Sequence, residues 1–172
     1  MSTAPKSLRD AVPAGALLSR AEAQAIVEQV VKMSKADSIN VSVGTGWTSN
    51  VRFADNQMST AGSVVDAGIA VQSSFGPKHA VVTTNDLSEA SLRRCVEQSE
   101  RLARLAPDDP EAMPELEPQR YVDVKGYIDT TANIQAAERA QAALTALAPA
   151  RKAGDIKAAG YLVVGAGCNA LG

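Results

Sequence analysis

Asn50–Gly62 reads NVRFADNQMSTAG, and the reading of this stretch decides the fold. Two runs of strand-forming residues flank Asp55-Asn56, a pair that tolerates positive φ better than most and so suits a two-residue hairpin turn. With that turn Phe53 stands opposite Met58, and Val51 opposite Thr60. Side chains alternate along a strand, so the same register groups Asn50, Arg52, Gln57 and Ser59 on the other, polar face. Such a face can simply be the wet side of an antiparallel sheet. It can also be a peptide-binding wall, with a guanidinium fork that takes a carboxylate bidentately. Asn50, Arg52, Gln57 and Ser59 are therefore the candidate substrate-binding residues.

Working outward, Ile39, Val41 and Val43 alternate with Ser38, Asn40 and Ser42. The glycines at 44 and 46 predict a turn, after which Trp47, Val51 and Phe53 resume the same parity. Before these strands, SRAE at 19–22 is a capping box that opens a helix over about 20–34, with Ile26, Val27, Val30 and Val31 at helical spacing. After the hairpin a strand over about 63–75 turns at GPK into HAVVTT. Asn85 or Asp86 can then cap a helix over about 87–105, with Leu92, Cys95, Val96, Leu102 and Ala103 inward. Glu97–Arg101 and Glu100–Arg104 fall at i,i+4 on its outer face.

LAPDDPEAMPELEP, with four prolines, precludes a regular element and predicts an extended connector. A further helix over about 134–148, with Ala137, Ala140, Leu144 and Leu147 inward, should end by Pro149. The strand after it runs into CNALG, a turn-forming end with no return strand, which predicts an unpaired edge and either the front part of a longer protein or a chain that needs a partner there. The expected class is α+β: an antiparallel sheet of hairpins packed against helices, then a Pro-rich connector, a helix and an unpaired C-terminal strand. The segments are a flexible lead-in at 1–18, the α+β core at 19–106, the connector at 107–120, and a helix with the start of a C-terminal hairpin at 121–172.

At 172 residues, 45% hydrophobic and only 3% aromatic, the chain predicts one aliphatic core. A net charge of −2 with no basic stripe argues against direct nucleic-acid binding. No apolar run approaches the roughly 20 residues of a membrane span, and no secretory signal is legible, so a cytoplasmic address without membrane contact is expected. Cys95 reads as a small buried hydrophobe and has no metal-type spacing to Cys168. His79 is alone, with no nucleophile or carboxylate placed near it by sequence, and reads as structural or solvent-exposed. Asp108, Asp109 and Glu111 read as a solvated acidic connector rather than a cation loop. The glycines of VGTGW and VVGAGCNALG lack the P-loop lysine and the complete dinucleotide fingerprint. No catalytic residue, metal ligand or cofactor site is read in this chain.

The order of segments adds to this reading. SRAEAQAIVEQVVKMSKADSINVSV, NVRFADNQMSTAG and FGPKHAVVTTNDLSEASLRRCVEQSERLARLAPDDPEAMPELEPQRY together resemble the N-terminal domain of the TldD/PmbA family of metallopeptidases. The hairpin and connector are closer to its PmbA-type branch. The resemblance implies a cytoplasmic peptidase system acting on peptides or unfolded proteins, with zinc held in the family's C-terminal half and none here. It implies a homo- or heterodimer with a TldD/PmbA-type subunit, and a substrate-lining role for this domain. Asn169 and Gly172 match the family's Asn-small-x-Gly turn, whereas Pro149 departs from it. The alternative reading is a non-enzymatic protein-interaction module of the DNA gyrase modulator type.

Overall fold

A computed structural model describes residues 17–114, 116–117 and 119–172. Of the expected lead-in at 1–18, residues 1–16 lie outside the described residues. Helix α1 (Arg20–Met33) leads into strands β1 (Ser38–Ala54), β2 (Gln57–Phe75) and β3 (Lys78–Thr84) and helix α2 (Glu89–Leu105). After the connector come the short α3 (Asp129–Ala132), α4 (Ala136–Lys152) and strand β4 (Gly160–Leu171). The strands form one four-stranded antiparallel sheet in the order β3-β2-β1-β4. The chain divides into two compact units: residues up to Gly46 with 66–123 and 167–172, and residues 47–65 with 124–166.

In the first unit, α2 packs on β3 and α1 packs on α2. Alternation sends Val41, Val43, Ile69 and Val71 inward, where they meet Ile26, Val27 and Val30 of α1 and Leu92, Cys95 and Val96 of α2. Leu18 belongs to the same core, and its amide donates to Thr45 Oγ1 at 2.8 Å. The capping box forms as the sequence predicts. Ser19 N donates to Glu22 Oε2 at 2.8 Å and Ser19 Oγ accepts from Glu22 N at 3.3 Å. The Ser19 hydroxyl, which donates to Glu22 Oε2 at 2.7 Å, and then the Ser19 amide hold the Glu22 carboxyl below its ordinary value.

The turn expected at 44–46 is absent. β1 runs unbroken, and Thr45 and Ser49 are buried on the same parity as Val43 and Val51. Gly44 serves another purpose: a Cβ there would lie 2.5 Å from Asn169 Oδ1, so the glycine lets β4 come close. The C-terminal strand is paired as well. Val41 and Gly172 exchange both backbone hydrogen bonds, at 2.6 and 2.9 Å, and only the far side of β4 is a sheet edge.

The start of α2 also differs. Ser88 occupies the N-cap position, while Asp86 accepts from Ser88 N at 3.0 Å and from Ser91 Oγ at 2.6 Å. The Ser91 hydroxyl, then the Ser88 amide, hold the Asp86 carboxyl below its ordinary value. Leu102 is exposed, and its expected inward place is taken by Ser99 and Glu100. Glu100 is buried because its Oε1 accepts from Ser34 Oγ and Lys35 N, at 3.1 and 2.5 Å, closing the end of α1. Ser99 Oγ meets Ser73 Oγ at 2.7 Å, a hydroxyl pair inside an otherwise aliphatic core.

In the second unit the two-residue turn is present, with Asp55 at φ 51° and Asn56 at φ 60°. α4 starts at Ala136 and runs through Pro149 to Lys152, rather than ending before it. Pro149 has no amide to donate, so the helix runs through it with one ladder bond missing. Ala143 and Leu147 are buried and Ala137 is exposed. Gly160 lies under the Phe53 ring, where a Cβ would meet Cζ at 3.0 Å.

Candidate functional site

The hairpin tip is built around Asn56. Its side chain donates from Nδ2 to Ile156 O at 2.6 Å and accepts at Oδ1 from Ala158 N at 2.8 Å. Its carbonyl accepts from Arg151 Nε and Nη2, at 3.1 and 2.5 Å. Asp55 adds an exposed pair with Lys157 at 3.0 Å. The sequence signals the turn but not this second role, because nothing local to ADNQ indicates that residues 151–158 will arrive there.

The four sequence-derived site residues all lie beside this tip. Asn50 and Arg52 share one face of β1 by alternation, Arg52 exposed and Asn50 half-buried. Gln57 and Ser59 share one face of β2, and both are exposed. Among the described residues no side-chain hydrogen bond or ion pair joins the four, and Arg52 has no carboxylate partner. The Asn50 amide instead fronts Gly62, 3.6 Å from where its Cβ would stand, and Ser49 Oγ meets Ser63 Oγ at 2.7 Å. A strict two-residue hairpin would pair Ser49 with Gly62. The ladder therefore slips by one residue between the turn and this point, as a β-bulge does. The register that groups the four residues is one of the tip alone.

The first unit carries a second candidate that the sequence does not single out. On the sheet face turned away from the helices, Asn40, Ser42 and Gln72 floor an open groove of about 520 Å³. Val81 of β3 and Leu171 of β4 flank it, and the connector supplies Leu116, Gln119 and Tyr121. Leu116, Tyr121 and Leu171 are each more than 80% exposed, so the rim is apolar and unfilled. The Ser42 hydroxyl and Gln72 amide can meet a backbone, and the rim can take side chains. The signal missed in the sequence was the outward set of β1 and β2, polar at 40, 42 and 72, under a connector with apolar residues between its prolines.

Cys95 is buried, donates to Val82 O at 3.4 Å, and has its thiol pushed up by burial. This is the structural cysteine that the sequence predicts. Among the described residues no three His, Cys, Asp or Glu side chains converge as metal ligands. Zinc finds no donor set there, and no chemical step is assigned to it. No helix among the described residues is long and apolar enough to cross a membrane.

An antiparallel sheet with helices on one face and a groove on the other defines the class of domain. Residues 41–103 match the family model described as PmbA/TldA metallopeptidase domain 1. Three solved structures are similar in fold. TldE from Thermococcus kodakarensis matches with a TM-score of 0.70 and 13% identity over 85% of this chain and 34% of that one. A candidate modulator of DNA gyrase from Bacteroides thetaiotaomicron gives 0.67 and 14%, over 87% and 35%. Its counterpart from Thermotoga maritima gives 0.60 and 12%, over 86% and 35%. The chain spans about a third of the length of these structures. No curated protein matches it. Over residues 41–103, then, the chain resembles the first domain of the TldD/PmbA family.

Proposed function

We propose that this domain lines the substrate path and makes subunit contacts in a TldD/PmbA-like zinc metallopeptidase system that acts on peptides or unfolded proteins in the cytoplasm. The zinc and the catalytic groups are supplied by parts of the system other than the described residues. The observation that carries the reading is the helix-free face of the sheet, with the Ser42 hydroxyl and Gln72 amide under an open apolar rim. Strand-borne polar groups beside apolar pockets are the usual means of holding an extended polypeptide. Arg52 and Asn50 are the corresponding candidates in the second unit, through carboxylate recognition. The partner in this reading is a TldD/PmbA-type subunit, and the TldE likeness supports that choice.

The test is an assembly of the protein with a TldD-type subunit, with peptide hydrolysis followed as a function of peptide concentration. Gln72→Ala and Arg52→Ala should raise KM with little change in kcat, since both act on binding. Unchanged KM in both variants would remove the lining role. The isolated 172-residue chain should show no chelator-sensitive hydrolysis. The gyrase-modulator names of two structural relatives support a second reading, a non-enzymatic interaction module. Capture of gyrase rather than a peptidase subunit by the purified protein would select it.

A further inference from the structure

In the second unit Tyr161, a residue outside the candidate set, is brought beside Arg52. A Cβ on Gly165 would lie 3.3 Å from Thr48 Oγ1, and one on Gly160 would lie 3.0 Å from Phe53 Cζ. Both contacts fit one antiparallel register of β1 and β4, in which Arg52 stands opposite Tyr161 and Asn50 opposite Val163. On the other flank the two-residue turn between Ala54 and Gln57 sets Ser59 opposite Arg52. Directly opposed side chains have Cβ atoms about 4.5–5.5 Å apart, so Ser59, Arg52 and Tyr161 form one row across three strands. Tyr161 is 69% exposed and Val163 is 50% exposed, which leaves an unfilled apolar margin beside an exposed guanidinium.

Charge decides what this row can hold. Arg52 is the only charged side chain in residues 47–54, 57–65 and 160–166. The one acid at the turn, Asp55, pairs with Lys157 at 3.0 Å. Residues 47–65 and 124–166 together carry six Lys and Arg against four Asp and Glu, so this unit is net positive in a chain whose net charge is −2. A guanidinium is a planar fork that grips a carboxylate through two parallel N–H bonds, and the Ser59 hydroxyl can donate to the same oxygens. In an extended chain, side chains two apart share a face. We infer that the Ser59–Arg52–Tyr161 row is a subsite for the side-chain carboxylate of an Asp or Glu in an extended polypeptide, with an apolar residue two positions away seated on Tyr161 and Val163. The subsite rests on the peptide reading proposed above and adds the class of sequence preferred, an acidic residue followed closely by an apolar one.

The test is titration of the full chain with fluorescent Gly/Ser peptides, blocked at both ends and centred on Glu-Ala-Leu, Gln-Ala-Leu or Lys-Ala-Leu, with binding read by anisotropy. The Glu peptide should bind about three- to ten-fold more tightly than the Gln peptide, and the Lys peptide most weakly, with the ratios shrinking as salt screens the pair. Arg52→Gln should abolish the Glu-over-Gln preference. Arg52→Lys should keep part of it, since an ammonium supplies the charge without the fork. Tyr161→Ser removes the apolar seat and should weaken the Glu and Gln peptides together, while Gln72→Ala in the first unit should leave their ratio unchanged. A preference that survives Arg52→Gln overturns the subsite. So does a Gln peptide with a free C-terminus that binds as tightly as the blocked Glu peptide, which would make this a chain-end site. Equal binding of all three blocked peptides removes the subsite and leaves the peptide reading standing, whereas binding of none removes both.

Discussion

At the scale of single residues, burial separates side chains that the sequence treats alike. Arg52 is exposed and has no side-chain partner among the described residues, so Arg52→Ala should shift stability by no more than about 0.5 kcal/mol in chemical denaturation. Leu92 is only 1% exposed, and Leu92→Ala should cost roughly 2–5 kcal/mol. Phe53 has the inward parity that the alternation predicts, yet it is only half-buried and covers Gly160. Phe53→Ala should therefore fall short of the roughly 3–5 kcal/mol of a fully buried phenylalanine. Ser99→Ala would strip Ser73 of its hydroxyl partner and should cost about 1–3 kcal/mol, whereas the double alanine variant should cost less than the two singles summed. Of the two thiols, half-buried Cys168 should react with a thiol reagent well before Cys95, whose burial disfavours the thiolate.

At the scale of elements, the hairpin turn and the start of α2 give opposite lessons about local signals. Asn-Gly or Asp-Gly is the usual choice for such a turn, so Asn56→Gly looks like an improvement. Here it would remove two side-chain bonds to residues 156 and 158, and it should destabilise by about 1–3 kcal/mol. Asp55→Gly relieves a positive φ at the loss of one exposed ion pair, and should be neutral or mildly stabilising. At α2, the Asp86 carboxyl is held below its ordinary value of 3.8 by Ser91 and Ser88. A depressed carboxylate contributes stability above its unfolded value and loses it as pH falls through the folded one. Acid titration of stability should therefore be steeper below about pH 4 in the wild type than in Asp86→Asn.

At the scale of the whole molecule, the elements and their faces were legible because periodicity reports burial directly. α1 with its capping box, the Asp55-Asn56 turn and the parity of β1 all follow from spacings of two or 3.6. What was not legible depends on residues far apart in sequence. Gly44 reads as a turn until Asn169 is seen beside it, Glu100 reads as a surface residue until Ser34 and Lys35 meet it, and His79 reads as solitary until Asp109 is met 3.7 Å away. The groove is missed for the same reason, since its floor and wall come from four strands and the connector. The side-chain bonds of Asn56 span 100 and 102 residues, and this gives the molecule an order of events in time. Contacts close in sequence form fast and distant ones slowly, so the β1–β2 hairpin should assemble while residues 151–158 are still searching. In pulse-labelled refolding, the amides flanking the turn should gain protection before the Ala158 amide does. The Asn56 side chain would then record the last step of folding rather than the first.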